Sequence, residues 1–121
     1  SFWEGADFAQ QDKVIEIITR LPFDNPKDPF YQKIESLFSK QGKSTFDSYS
    51  LPMMVLRFKQ AIGRAQRRPE QRSAILLMDN RPLVKSYGKL FIKEVSQEVT
   101  LRHAPFKQIK EDIQEFLEKE C

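Results

Sequence analysis

Gln60, Gly63, Arg64 and Arg67 recur at spacings of one, three and four residues inside Met53 to Arg68, a stretch with no internal proline. At about 100° per residue a helix gathers these four on one side. Leu51, Met54, Val55, Phe58, Ala61, Ile62 and Ala65 fall on the other. Two arginines one turn apart present planar, permanently charged guanidinium groups, which suit bidentate contact with phosphate oxygens better than lysines do. Gln60 adds a neutral donor and acceptor to the same face. Gly63 sits in the middle of the polar stripe, where glycine costs about 1 kcal/mol relative to alanine. That cost suggests close approach of something to the backbone. From the residues alone two readings stand: a phosphate or nucleic-acid contact surface, and an ordinary solvated face.

The charge distribution bears on the same stretch. The formal charge is only +3, from 20 Lys and Arg against 17 Asp and Glu. Between Arg57 and Arg72, however, six basic residues (Arg57, Lys59, Arg64, Arg67, Arg68, Arg72) face one acid, Glu70, and the rest of the chain is slightly acidic. A positive patch on such a body suits a polyanion. The single cysteine, Cys121, forms no internal disulfide and no multi-cysteine metal site. His103, the lone histidine, has no partner set for a metal or a triad and is read as structural. No metal site is expected. No apolar run approaches the roughly 18 residues of a membrane span, and the expected location is intracellular, cytoplasmic in a bacterium. Membrane docking is disfavoured because the basic face carries no interfacial aromatics.

The elements that would position the polar stripe follow from periodicity. Val14 to Ile18 is short and β-branched, as in a strand covered on both faces. Asp28-Pro29 marks a helix start, with Phe30, Ile34, Leu37 and Phe38 on one side and Gly42 as the stop after Gln41. A polar link, Lys43 to Ser50, leads to Leu51-Pro52 and the helix Met53 to Arg68, ended by Pro69. Ser73 to Met78 reads as a second buried strand ending at Asp79 and the turn Asn80-Arg81-Pro82. Leu83 to Val95, containing Tyr87-Gly88, reads as one helix, and Glu98 to Arg102 as a half-buried strand. Phe106, Ile109, Ile113, Phe116 and Leu117 line a final amphipathic helix. Strands alternating with helices predict a single α/β domain over 1–121, three-layered with a mostly parallel sheet. Three strands make a narrow sheet, so further strands are expected to precede them.

Gln60-Ala61-Ile62-Gly63-Arg64-Ala65-Gln66-Arg67 resembles helicase motif VI: Gln, two residues, Gly-Arg, two residues, Arg. Ser1-Phe2-Trp3-Glu4-Gly5-Ala6-Asp7 resembles motif V of the DinG and XPD-like helicases of superfamily two, in the expected order before motif VI. Arg20-Leu21-Pro22-Phe23, Leu51-Pro52, Asp79-Asn80-Arg81 and Tyr87-Gly88-Lys89 are similar to that family as well. The chain departs from it at Ala6, where relatives often carry a bulkier apolar residue, and at Phe8-Ala9-Gln10, where a glycine is common.

The resemblance implies part of a second RecA-like motor domain of an ATP-dependent helicase or translocase. ATP then lies between two motor domains, with Arg64 and Arg67 as arginine fingers and Gln60 and Gly63 at the same interface. Gly5 and Asp7, with Glu4, would belong to the loop joining the nucleotide cleft to the nucleic-acid track. Trp3 would contact nucleic acid or, more simply, pack beside that loop. The implied partners are motor domain 1 of the same protein and single-stranded DNA. ATP and Mg²⁺ would be bound mainly by motor domain 1, because this sequence has no Gly-rich Lys-Ser/Thr loop and no acidic Mg²⁺ motif. The isolated piece is therefore expected to be inactive. The alternative is a non-enzymatic nucleic-acid-binding module that uses the basic helix 53–68.

Overall fold

In the computed structural model the described residues are 13–118. Strand β1 (Lys13–Ile18) pairs in parallel with β2 (Arg72–Leu77), from Lys13 opposite Arg72 to Ile18 opposite Leu77. The two are joined by a helical crossover. Helix α1 (Pro29–Lys40) begins on Asp28, whose carboxylate accepts the Phe30 N–H at 2.8 Å, with Pro29 at its first position. It stops at Gly42, whose φ of +69° is left-handed, and the Lys43 N–H closes back on the Phe38 carbonyl at 3.0 Å. A five-residue π-helical turn, Phe46–Ser50, then runs directly into α2 (Leu51–Ala65).

The core is the α2 stripe laid on the strands. Leu51, Met54, Val55, Phe58, Ala61, Ile62 and Ala65 are all buried, the same seven that the helical period selects. They meet Ile18, Leu21, Phe91 and Val95, and Phe58 packs edge-to-face on Phe91 at 5.0 Å between ring centres. Truncating any one of the larger members to alanine costs about 2–5 kcal/mol by the usual cavity argument. On β1, Val14, Glu16 and Ile18 are buried whereas Ile17 is half exposed. So β1 is covered on one face among the described residues, not on both.

Two further expectations need correction. The stretch Leu83 to Val95 is two helices, α3 (Arg81–Val84) and α4 (Gly88–Val95), because Lys85 leaves the helical region at ψ 153°. Gly88 makes the break possible: a Cβ there would lie 1.9 Å from the Pro82 carbonyl oxygen. Glu98 to Arg102 is not a strand. The N–H groups of Glu98 and Val99 both bond the Val95 carbonyl, so the backbone turns around the end of α4 while Val99 still packs on the core. The described sheet therefore has two strands. The last helix, α5 (Phe106–Glu118), buries none of its residues, and Phe106 and Leu117 are more than half exposed. It touches the sheet at one end, where Lys13 Nζ donates to the Leu117 carbonyl at 3.0 Å and Arg72 lies 5.7 Å from the Phe116 ring centre. No helix among the described residues is long and apolar enough to cross a membrane.

Asp79 ties the carboxyl ends of the two strands together. Its side chain accepts the Leu21 N–H at 2.9 Å and the Arg81 N–H at 3.0 Å, and it pairs with the Arg81 guanidinium through Nε at 2.8 Å. Burial alone would raise its pKa. The Arg81 side-chain bond and the two backbone donors outweigh that and hold it at about 2. A depressed carboxylate adds stability above its ordinary value of 3.8, and that increment vanishes as pH falls through about 2. Asp79→Asn should therefore lower unfolding free energy by about 2 kcal/mol at neutral pH, with the gap to the parent sequence closing in acid denaturation series. Gly88→Ala should cost about 1–3 kcal/mol or more in urea unfolding, because the clash is with backbone that cannot swing aside.

Candidate functional site

Helix α2 delivers its carboxyl end to the amino-terminal edge of the sheet, since only residues 66–71 separate it from β2. Gln60 and Gly63 are exposed there, and Arg64 is half-buried at the border of the apolar stripe. Nothing lies within 4 Å of the position a Gly63 Cβ would take, so the chain's own packing among described residues does not require a glycine. Arg64 occupies the last helical turn, a favourable place for a cation near the negative end of the helix dipole.

Arg67 is placed differently from the expectation. The helix ends at Ala65, not Arg68: Gln66 makes the last helical bond, to the Ile62 carbonyl, and then turns out with φ −115° and ψ 84°. Pro69 disfavours helical backbone just before it, which pulls the end back. Arg67 thus lies in a loop rather than one turn above Arg64 on a helical stripe. That loop is stapled by two glutamines. The Arg67 N–H donates to Gln71 Oε1 at 2.7 Å, and the Gln66 amide donates to the carbonyls of Arg68, at 2.8 Å, and Gln71. Ser73 Oγ closes the set on Gln66 Oε1 at 2.7 Å. Gln71 is almost fully buried. The sequence reading missed both glutamines as positioning groups, although two glutamines flanking an arginine-rich Pro loop are a readable signal.

The basic patch is not uniform. Arg57 is bound at 3.1 Å to Asp24 and Lys59 at 3.1 Å to Glu94, both partly buried. Arg68 pairs loosely with Glu70 at 3.5 Å. Arg64 has no ion-pair contact among the described residues, and its Nε–H is buried without an acceptor. Beneath α2 lies an unforeseen acid. Glu16 is 2% exposed on β1, and neither carboxylate oxygen has a hydrogen-bond partner. Burial pushes its pKa up, and the nearby Arg64 charge offsets part of that rise. One acid inside the apolar run Val14 to Ile18 was the available sign.

At the opposite edge, roughly 17 Å away along strands of this length, an open cavity of about 380 Å³ is lined by Phe23, Tyr31, Phe46, Arg81, Lys85 and Tyr87 among others. Phe23 stacks on Phe46 at 5.8 Å, and Tyr87 meets both edge-on. Neither Gln60, Gly63, Arg64 nor Arg67 lines it. No cluster of three or more metal-ligating side chains occurs among the described residues. The expectations for Trp3, Glu4, Gly5 and Asp7 lie outside the described residues.

A family model described as the helicase C-terminal domain matches residues 1–98. The chain is 40% identical over 91 residues to the 3'-5' exonuclease DinG of Bacillus subtilis, which is 75% of this chain and 10% of that protein. Against the ATP-dependent DNA helicase YoaA of Escherichia coli it is 35% identical over 92 residues, 76% of this chain and 14% of that one. The 3'-5' exonuclease DinG of Staphylococcus aureus strain USA300 matches over 116 residues at 35% identity, 96% of this chain and 12% of that protein. The chain thus spans only 10–14% of these curated relatives. No solved structure matches it. Two strands in parallel, a crossover helix with Gly63-Arg64 in its last turn and a match over most of the sequence agree: the chain belongs to the helicase C-terminal domain family, as the carboxy-terminal part of a DinG-like helicase.

Proposed function

We propose that this chain forms the carboxy-terminal part of motor domain 2 in an ATP-dependent helicase or translocase, with Arg64 and Arg67 as the groups that reach the nucleotide. One observation carries this reading. Of the three basic residues on α2, Arg57 and Lys59 are ion-paired within the fold, and Arg64 at the exposed end has no such pairing among the described residues. A general basic surface for nucleic acid would keep its cations available along the helix. Here the charge left over is concentrated beside Gly63, which suits a single anionic group approaching the backbone.

In phosphoryl transfer the protein mainly positions groups and stabilises charge that spreads over the transferred oxygens. Arg64 would supply that charge from a rigid helix, and Arg67 from the loop fixed by Gln66 and Gln71. Gln60 lies on the exposed face of α2 and would bond the same interface. Motor domain 1 would hold ATP and Mg²⁺, and Trp3, Glu4, Gly5 and Asp7 would couple the cleft to single-stranded DNA. On this reading the chain alone does not turn over ATP.

ATP hydrolysis by the intact parent, with and without single-stranded DNA, tests the assignment. Arg64→Ala or Arg67→Ala should lower turnover by about three orders of magnitude with nucleotide binding largely kept, the scale of an arginine finger. Unchanged turnover with a loss confined to DNA affinity and its salt dependence would instead establish a non-enzymatic binding helix. Gly63→Ala should stabilise the chain by about 0.5–1 kcal/mol in denaturant unfolding and yet slow the parent's hydrolysis. A variant that is both more stable and fully active would show that nothing approaches Gly63.

A further inference from the structure

Glu16 and Arg64 each bury a polar group that the fold leaves unsatisfied, and the two groups are complementary. Both Glu16 carboxylate oxygens are buried acceptors with no donor, and the Arg64 Nε–H is a buried donor with no acceptor. They lie close enough for the Arg64 charge to act on Glu16, with no hydrogen bond between them. Glu16 lies on the β1 face, between Val14 and Ile18, that is buried as α2 is; Arg64 sits in the last turn of α2, flanked by the fully buried small residues Ala61 and Ala65. The Arg64 guanidinium is the cation whose field acts on Glu16. Leaving an ionisable group buried and unpaired is costly to folding, and the flanking residues Val14, Ile15, Ile17 and Ile18 are all apolar. A valine or isoleucine in its place would suit the strand better. An acid held there at a cost to folding, next to the arginine assigned to the nucleotide, calls for a role at that arginine.

We propose that Glu16 is a positioning residue for Arg64: its carboxylate takes the Nε–H side of the guanidinium when the nucleotide cleft closes, which leaves the two terminal amino groups directed at phosphate oxygens. An arginine has five N–H donors in a planar fork, so holding one edge fixes the direction of the other. This inference rests on the motor reading of Arg64.

The test uses the intact parent and single-stranded DNA-stimulated ATP hydrolysis. Glu16→Gln and Glu16→Val should each lower kcat by up to about 10²-fold, the cost of misplacing a catalytic group by an ångström or so, with the KM for ATP within about twofold. Glu16→Val should also raise the unfolding midpoint, so the loss of rate is not a loss of fold. In an Arg64→Ala background, where there is no guanidinium to hold, Glu16→Gln should add less than about a twofold further loss. Should Arg64→Ala abolish turnover while Glu16→Gln and Glu16→Val keep full kcat, Glu16 has no part in positioning and the proposal fails with the motor reading intact. Additive losses in the double variant would overturn it as well. Full turnover in Arg64→Ala would remove the motor reading itself, and this inference with it.

Discussion

Burial of seven apolar residues of α2 against a parallel pair of strands is the constraint on which the rest of the molecule depends. A helix that commits one whole side to a core has no rotational freedom left, so the residues on its other side point where the core dictates. Gln60, Gly63 and Arg64 acquire their direction this way. The core also fixes the end of the helix, because β2 must begin next to β1 in register and only six residues are available between Ala65 and Arg72. Those six cannot wander. Two glutamine side chains take up the backbone donors and acceptors that the turn exposes, and Arg67 is held between them.

Two features weaken the fold at this edge. A glycine with open space around it and a carboxylate buried without a donor both weaken the fold, and both lie beside Arg64. The other edge is built for strength. There Asp79 joins two chain segments through backbone and guanidinium donors, Arg81 sits over the Phe23 ring at 5.3 Å, and Gly88 lets α4 close against α3. Locating costly groups at one end of a sheet and stabilising ones at the other is a common arrangement where one end must meet a ligand or another domain.

The large exposed apolar residues of α1 and α5 follow the same logic at the scale of the domain. Phe30, Leu37, Phe106 and Leu117 lie on stripes with helical spacing, and the described sheet is only two strands wide. Two strands offer too little surface to cover three helices. Such stripes offer apolar surface to which a further layer can pack.

The sequence by itself determined the α2 stripe to the residue, both strands to within one residue, the Asp28 and Gly42 boundaries of α1 and the family, because these depend on local periodicity, capping and motif order. It also placed Gly63 and Arg64 near the end of α2, since helical spacing carries that information. Only the tertiary structure decided what depends on groups distant in the chain. Arg67 left the helix because a loop must return to β2, and Glu98 to Arg102 turned rather than paired because its N–H groups found the end of α4. Gly88 proved to be a point of backbone contact with Pro82 rather than an interior helix position. The neutralisation of Arg57 and Lys59 needed Asp24 and Glu94, 33 and 35 residues away, which no local pattern announces. Glu16 is the sharpest case: as text it is one acid in a strand, and only the packing of α2 over β1 makes it a buried carboxyl near the Arg64 charge.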